Sequence, residues 1–262
     1  HVVRCFEDAD VVHVSGTIDP LADIEVIDTE LGLKDLETVA KRVERMSRAA
    51  KGGDRDLVAQ RDRVLALEDH LSTGAPARTF DWSGDTLLRQ ELSLLTDKPV
   101  LFAANVGEAD LPTGGAHVEK VTAHARDIGA DIVVVSAQVE AEIADLEDAE
   151  RAEYLADLGL VESGLERLVR HAYTLLGLRT FFTAGPKEAR AWTIPAGATA
   201  PRAAREIHTD FERGFIRAEI VSVDDFVAHG GEAGAREAGL LRVEGKDYVV
   251  KDGDVIHFRF NV

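Results

Sequence analysis

Residues 100–108 read Val-Leu-Phe-Ala-Ala-Asn-Val-Gly-Glu, an apolar run that ends in polar residues. A second apolar run, Ile132-Val133-Val134-Val135, is followed by Ser136-Ala137. Short continuous apolar runs are typical of strands that a parallel sheet buries on both faces. The sequence between the runs predicts a helix, because apolar side chains recur there at helical spacing, at Val118, Val121, Ala125 and Ile128. Strand, helix and strand in this order indicate an α/β fold with a parallel sheet.

A helical segment precedes this unit. A helix is expected to begin at Asp19-Pro20, because the carboxylate accepts from free amides and proline suits the first turn. Apolar residues then recur at helical spacing, with one slip after Leu31, as far as Gly52-Gly53. A second helix is predicted over residues 54–71, and a shorter one carries Leu87, Leu88, Leu92 and Leu95. We therefore expect residues 19–96 to be a helical hairpin inserted into an α/β domain.

From residue 178 onward the pattern changes to short predicted strands. They cover residues 181–183, 191–194, 215–220, 248–250 and 255–258. The sequence Lys251-Asp252-Gly253-Asp254 predicts a hairpin turn between the last two. We expect a small mixed domain here, mostly strands, preceded by a helix that carries Leu165, Leu168, Val169, Ala172 and Leu176. The chain then has four expected segments, at residues 1–18, 19–96, 97–177 and 178–262.

Composition narrows the class of protein. The 262 residues include 30 Lys and Arg against 48 Asp and Glu, a net charge of −18, which disfavours a general nucleic-acid coat. The single cysteine, Cys5, excludes a disulfide scaffold and is expected to be buried in a strand. No apolar run approaches the roughly 18 residues of a membrane span, and no signal peptide is evident. We expect a soluble, cytoplasmic protein without membrane contact.

The chain begins inside what reads as a core strand, at residues 1–6, and His1 is not an initiator methionine. We therefore expect the 262 residues to be part of a larger domain whose beginning lies ahead of them.

Polar residues follow both central strands at their carboxyl ends, where open α/β sheets bind ligands. P-loop GTPases carry Asn-Lys-x-Asp and Ser-Ala-Lys at the two positions, and the Asp accepts hydrogen bonds from guanine. Here Val106 replaces the Lys and Glu108 replaces the Asp. A carboxylate opposite the N1 acceptor of adenine is unfavourable, whereas Asn105 can donate to N7 and accept from the 6-amino group. The altered motif favours ATP over GTP, and an ordinary loop is the alternative.

Several motifs match one known family. They are His1-Val2-Val3-Arg4-Cys5-Phe6-Glu7-Asp8, His13-Val14-Ser15-Gly16, Asn105-Val106-Gly107-Glu108, Phe182-Thr183-Ala184-Gly185, Arg190-Ala191-Trp192-Thr193-Ile194, Ile207-His208-Thr209-Asp210-Phe211-Glu212-Arg213-Gly214-Phe215-Ile216 and Gly245-Lys246-Asp247-Tyr248. On these residues the chain closely resembles the Obg-like ATPase (YchF) family of P-loop NTPases, along essentially its whole length.

The resemblance implies a partial P-loop G domain with a parallel sheet, an inserted α-helical, coiled-coil-like domain and a C-terminal β-grasp TGS domain. It also implies hydrolysis of ATP in preference to GTP, and association with ribosomes. Carried over by motif, the residues around the base are Asn105, Val106, Glu108, Phe6, Ser136 and Ala137. In this interpretation Asn105 contacts adenine and Val106 lies beside the adenine. Glu108 occupies the altered position that determines base specificity. Phe6 forms an apolar wall, and Ser136 and Ala137 offer backbone contacts.

The chain departs from the family in one respect. No Gly-x-x-x-x-Gly-Lys-Ser/Thr sequence occurs in it. By resemblance, the phosphate loop, the Mg²⁺ ligands and the catalytic group lie ahead of His1, so we expect no catalytic and no metal-binding residue here. Without a nest of amides for the phosphates, the 262 residues alone are not expected to hydrolyse ATP.

The leading hypothesis is a ribosome-associated ATPase that, when complete, uses ATP and Mg²⁺. The alternative is a nucleotide-gated adaptor that binds RNA or the ribosome and in which hydrolysis is secondary. A second alternative is that the complete protein hydrolyses GTP. Contact with RNA is expected through Arg190, Arg202, Arg205, Arg213 and Arg217. Basic residues also cluster at the end of the first long helix, at Lys41, Arg42, Arg45, Arg48 and Lys51. They either complement the negative end of the helix dipole or contact RNA, and both interpretations stay open.

Two further expectations concern surfaces. His117 and His124, seven residues apart on one predicted helix, are expected to face solvent. The acidic stretch from Glu140 to Asp157 is expected to be a solvated helical face that repels RNA.

Overall fold

The structure is a computed structural model, described for residues 1–7, 18–52, 54–185 and 188–261. The motif His13-Val14-Ser15-Gly16 lies outside the described residues, as does Asp8. The chain divides into two compact units, His1–His171 and Ala172–Val262. No helix in the described ranges is long and apolar enough to cross a membrane.

The first unit contains a parallel sheet. Its described strands are β1 (Val2–Arg4), β2 (Leu101–Asn105) and β3 (Asp131–Val135), in the order β1-β2-β3. Helix α4 (Gly115–Asp127) joins β2 to β3 and packs Val118 and Val121 against the sheet. The α/β prediction with a parallel sheet is therefore confirmed.

Residues 20–92 form the helices between β1 and β2. They are α1 (Pro20–Ala49), α2 (Arg55–Ser72) and α3 (Thr86–Leu92). Asp19 caps α1 through its carboxylate, as the sequence predicted, and Asp54 caps α2 at the predicted start of the second helix. Val39 of α1 packs with Val64 and Leu67 of α2 in a buried cluster, so the two helices lie against each other.

Buried Asp35 in the middle of α1 fixes this helical segment to the chain that enters β2. It is 2% exposed, and its carboxylate accepts from the Leu95 amide at 2.8 Å, the Thr96 amide at 2.7 Å and Thr96 Oγ1 at 2.7 Å. Thr96 Oγ1 in turn accepts from the Ala77 amide at 2.9 Å. The three-way contact joins α1, the turn after α2 and the segment before β2.

Acidic helices follow β3, and one more helix leads into the second unit. They are α5 (Ala137–Ile143), α6 (Asp148–Asp157) and α7 (Gly164–Leu175). Val139, Ile143 and Leu155 form a small buried cluster between α5 and α6, while most of the acids are exposed.

Cys5 is buried, as predicted, at 2% exposure, and burial raises the pKa of its thiol to about 11. The expectation that His117 and His124 face solvent is wrong. Both are half-buried, and His124 packs edge-on against Phe102 with ring centroids 5.8 Å apart, because α4 turns this side toward the sheet.

The second unit holds a mixed sheet of five described strands in the order β5-β4-β8-β6-β7. The strands are β4 (Leu178–Ala184), β5 (Ala189–Pro195), β6 (Phe215–Ser222), β7 (Arg242–Glu244) and β8 (Asp254–Phe260). Strands β4 and β8 pair in parallel, and the other neighbours pair antiparallel. One face packs against α8 (Ala200–Ile207) and α9 (Thr209–Arg213), through Ala203, Phe181 and Ile220 among others.

The unit is mixed, as predicted, since α8, α9, α10 (Val223–Ala228) and α11 (Glu232–Glu237) belong to it beside the five described strands. One prediction for this unit is wrong. Residues 248–250 are not a strand of a hairpin with β8. Val249 makes an isolated bridge with Thr199, and the predicted turn is instead closed by Asp254, whose carboxylate accepts from the Lys251 amide and from Tyr248 Oη.

A buried carboxylate also organises the second unit. Glu219 on β6 is 6% exposed and meets three guanidinium groups, those of Arg259, Arg217 and Arg236, at 3.1–3.3 Å. The hydrogen bonds from Arg259, followed by its charge, lower the pKa of Glu219 to about 2. A charged acid in this position is stable because several donors compensate its desolvation.

Replacing Asp35 by Ala should lower the free energy of unfolding of the first unit by about 2–4 kcal/mol, because two amides and a hydroxyl lose a charged partner in a buried place. The indole signal of Trp82, which donates to the Ala77 carbonyl, reports on this region during urea denaturation. Glu30→Ala on the exposed side of the same helix is the control and should change stability by less than about 0.5 kcal/mol. Equal effects of the two substitutions would contradict the role given to Asp35.

The second unit should lose stability in acid. The folded pKa of Glu219 is about 2 against 4.5 ordinarily, so its contribution is complete above pH 4.5 and disappears as pH falls toward 2. The expected loss is about 2 kcal/mol. Urea denaturation at several pH values, followed by the Trp192 indole signal, measures it. The Glu219→Gln variant should show a shallower pH dependence over this interval, and parallel curves for the two proteins would refute the assignment.

Candidate functional site

Three strand ends meet at the carboxyl edge of the first sheet. The Cys5 amide donates to the Asn105 carbonyl at 2.8 Å, and the Val106 amide donates to the Val135 carbonyl at 2.8 Å. These bonds continue the parallel ladders of β1, β2 and β3 by one residue. They place Asn105 between Phe6, which follows β1, and Ser136, which follows β3.

The Asn105 side chain is held by the neighbouring segment. Its Oδ1 accepts from the Ala137 amide at 2.9 Å, across the gap between β2 and β3. Its Nδ2 group has no hydrogen bond with any described residue, so two N–H donors remain for a ligand. The predicted two-point contact with adenine also needs Oδ1 as an acceptor, and Oδ1 would then serve two donors.

The side chains of Val106 and Ser136 do not line an open site. Val106 is 2% exposed and packs in the core beside Val118, so its side chain is turned away from the strand ends. Ser136 is also 2% exposed, and its Oγ caps α5 by accepting from the Val139 amide. The backbone of this segment is partly used as well, because the Ser136 carbonyl accepts from Glu140 and the Ala137 amide is bound to Asn105.

Phe6 is half-buried and has a cation above its ring. The Arg4 guanidinium lies 4.8 Å from the ring centroid, and Arg4 Nε donates to the Phe6 carbonyl at 3.2 Å. A Cβ on Gly107 would lie 3.8 Å from Phe6 Cβ, so the backbone after Asn105 runs close to this ring. An aromatic ring beside an amide donor suits a flat heteroaromatic base.

Glu108 is exposed at the start of a short 3-10 turn over Glu108–Asp110. Its charge acts on Tyr154 of α6, whose hydroxyl donates to Glu142 at 2.6 Å. That hydrogen bond, with smaller contributions from desolvation and from Glu108, raises the pKa of Tyr154 to about 12. Tyr154 and Glu142 thus belong to the surroundings of the loop. They could not be predicted from the sequence, because they lie in helices that carry no recognisable motif.

The described residues do not offer a fitting Mg²⁺ site. One group of three side chains, Glu219, Glu232 and His257, comes within 4.8 Å. The Glu219 oxygens already accept from arginines, and those cations oppose a metal ion.

The five arginines predicted to face RNA do not form one surface. Arg202 pairs with Glu206 at 3.3 Å and Arg205 with Glu212 at 3.6 Å, on the helical side of the second sheet. Arg217 alternates with core residue Ala218 along β6 and so lies on the opposite face, paired with Glu219. Arg213 is exposed on α9, and the Arg190 guanidinium stacks 4.1 Å above the ring of Trp192.

Comparisons with known proteins agree with the resemblance. A family model named YchF-GTPase_C and described as "Protein of unknown function (DUF933)" matches residues 178–261. The Ribosome-binding ATPase YchF of Bacillus subtilis (strain 168) is 50% identical over 265 residues, which cover 100% of this chain and 72% of that protein. Obg-like ATPase 1 of Gallus gallus is 37% identical over 269 residues, which cover 100% of this chain and 67% of that protein.

The fold is also shared with a solved structure. The YchF GTPase of Schizosaccharomyces pombe superposes with a TM-score of 0.80 at 32% identity, over 98% of this chain and 71% of that one. Sequence identity over the whole chain and a common fold lead to the same assignment: the chain belongs to the YchF family, the Obg-like ATPases.

Proposed function

We propose that this chain carries the base-binding side of a nucleotide site that takes ATP in preference to GTP. The observation that carries the proposal is the Asn105 amide, fixed through Oδ1 by Ala137 with its Nδ2 donors unengaged. An amide held in this way can donate to the N7 acceptor of a purine while Phe6 covers part of the ring. ATP is also in the name of relatives that are 50% and 37% identical.

Preference for adenine is assigned to position 108. Both purines have an acceptor at N7, so a single donor from Asn105 selects a purine and does not distinguish adenine from guanine. Guanine is recognised by a carboxylate that accepts from its N1–H and 2-amino groups. Glu108 is one methylene longer than the Asp of that motif and is exposed, so we propose that it does not make this pair. Val106 is proposed to act through its backbone alone, and Ser136 by capping α5.

We propose further that hydrolysis needs groups outside these 262 residues. The phosphates, Mg²⁺ and the attacking water require a nest of amides and a lysine, which the chain's motifs do not include. Bound Mg²⁺ would supply charge neutralisation at the phosphates, while the residues described here would hold and orient the base.

The remaining segments are proposed to bind the ribosome, as the name of the bacterial relative states for that protein. In this proposal residues 19–96 are the coiled-coil-like domain and residues 178–262 the TGS domain. Residues 1–18 and 97–177 belong to the G domain. The five-stranded sheet with a helix on one face supports a β-grasp shape. Among the five arginines, Arg190 on Trp192 is best suited to RNA, because a stacked cation and an indole can contact a base or a phosphate.

Adenosine should bind the chain weakly and shift the backbone amide signal of Ala137 in NMR titrations. Asn105→Asp keeps an acceptor for that amide but removes the Nδ2 donors, and it should weaken binding about tenfold or more. Asn261→Ala, on an exposed asparagine of the second unit, is the matched control and should bind as the parent chain does.

Glu108→Asp tests the specificity position in the same titration and should shift the preference toward guanosine. We avoid Lys at position 106, because an ammonium there would enter the core. Unchanged affinity in Asn105→Asp would refute the base contact, and an unchanged preference in Glu108→Asp would refute the account of specificity alone.

Incubated with ATP, Mg²⁺ and ribosomes, the 262-residue chain should release phosphate no faster than ribosomes alone. The reason is the missing set of phosphate-binding groups. Phosphate release measured over time checks this, and turnover proportional to the concentration of the chain would contradict it. Pelleting the ribosomes from the same mixtures gives a second readout. Chain in the pellet would support ribosome binding by these segments, and its absence would count against that part of the proposal.

A further inference from the structure

A cavity of about 670 Å³ lies inside the first unit, away from the strand ends. It is partly open to solvent, since Leu21 and Ile128 at its wall are exposed. The first half of α1, the end of α2 with the turn that follows, and the end of α4 line it. Its apolar wall includes Leu21, Ile24, Leu36, Leu71, Pro76 and Ile128. A cavity of this size is in the range that small-molecule sites occupy.

The cavity coincides with the break in the apolar pattern of α1. The buried stripe of this helix contains Ile24 and Val39, and the positions between them at helical spacing are Asp28, Gly32 and Asp35. Asp35 is explained by its hydrogen bonds to Leu95 and Thr96. Asp28 and Gly32 stand where core side chains are expected, and both line the cavity.

Packing does not require glycine at position 32. A Cβ built there meets no atom within 4 Å, and its φ is not in the left-handed region. Glycine inside a helix destabilises it relative to alanine. Its effect at this position is to leave space, since a larger side chain would project into the cavity.

The charge of the wall indicates the class of ligand. Asp28 is half-buried and Glu25 lies one helical turn before it, and neither carboxylate has a hydrogen bond or ion pair with a described residue. On the opposite side Arg78 is engaged, because its Nη1 donates to the Thr96 carbonyl at 3.2 Å. That bond is to a neutral carbonyl and leaves the charge of Arg78 in place. With His124 of the wall neutral, the two carboxylates still outnumber the single guanidinium, so the net charge of the wall is negative.

We propose that this cavity binds a small amphipathic cation, an amine with an aliphatic or aromatic body. The ammonium group lies between Asp28 and Glu25, and the apolar body fills the space beside Gly32 and against Ile24 and Leu36. The proposal is separate from the nucleotide site, because it shares no residue with the strand-end loops.

Two probes with the same apolar body and opposite charge test the inference. By NMR titration of the 262-residue chain, 4-phenylbutylamine should bind about tenfold or more tightly than 4-phenylbutyrate. Resonances of Gly32 and Ile128 should shift as the amine is added. Equal affinity of the two probes, tighter binding of the carboxylate, or no saturable binding would overturn the proposal.

Variants locate the probe. Gly32→Phe fills the cavity and should reduce amine affinity about tenfold or more, and Asp28→Asn should remove most of the preference for the amine. Glu30→Gln, on the exposed side of the same helix, should leave both unchanged, as should Asn105→Asp at the nucleotide site. If Gly32→Phe folds with an unchanged circular dichroism spectrum and still binds the amine, or if a crystal structure shows another part of the protein filling the space, the inference fails.

Discussion

The parallel pairing of β1 with β2 is the constraint on which the first unit depends. Parallel neighbours need a crossover connection, and here the described part of that connection contains the helices α1, α2 and α3. A long excursion returns to the sheet in register only if its end is fixed. The carboxylate of Asp35 provides this, because it binds the backbone of Leu95 and Thr96 just ahead of β2.

The same register determines the edge of the sheet where we propose that the base of a nucleotide binds. Because β1, β2 and β3 are aligned, the pairing of the strands alone places Phe6, Asn105 and Ser136 next to one another, and no bound ligand is needed to bring them together. The hydrogen bond from the Ala137 amide to Asn105 then joins the two loops. It uses the oxygen of the amide side chain for structure and leaves the Nδ2 donors without a partner among the described residues, which is the arrangement that the proposed base contact requires.

Local signals in the sequence predicted most of the first unit. Carboxylates at Asp19 and Asp54 mark the helix starts, and continuous apolar runs mark the strands, because capping and burial act on neighbouring residues. Contacts between distant residues were not predictable in this way. Nothing local shows that Val106 turns into the core, that Asp254 closes the turn after residue 250, or that α8 forms around Ala203 and Ala204. The arginines illustrate the same limit, since spacing along the chain could not reveal which face of a sheet each occupies.

Buried acids separate structural from functional positions in this molecule. Asp35, Glu219 and Asp254 are nearly inaccessible, and each accepts hydrogen bonds that compensate for its desolvation. Asp28 lies on the same helical stripe as Asp35, is half-buried, and has no such partner among the described residues. A chain with a net charge of −18 gains little from one more unpaired acid facing its interior. Asp28 keeps contact with solvent, and the cation that we propose would give it the partner that the other three acids find within the protein, while its apolar body would fill the space beside Gly32.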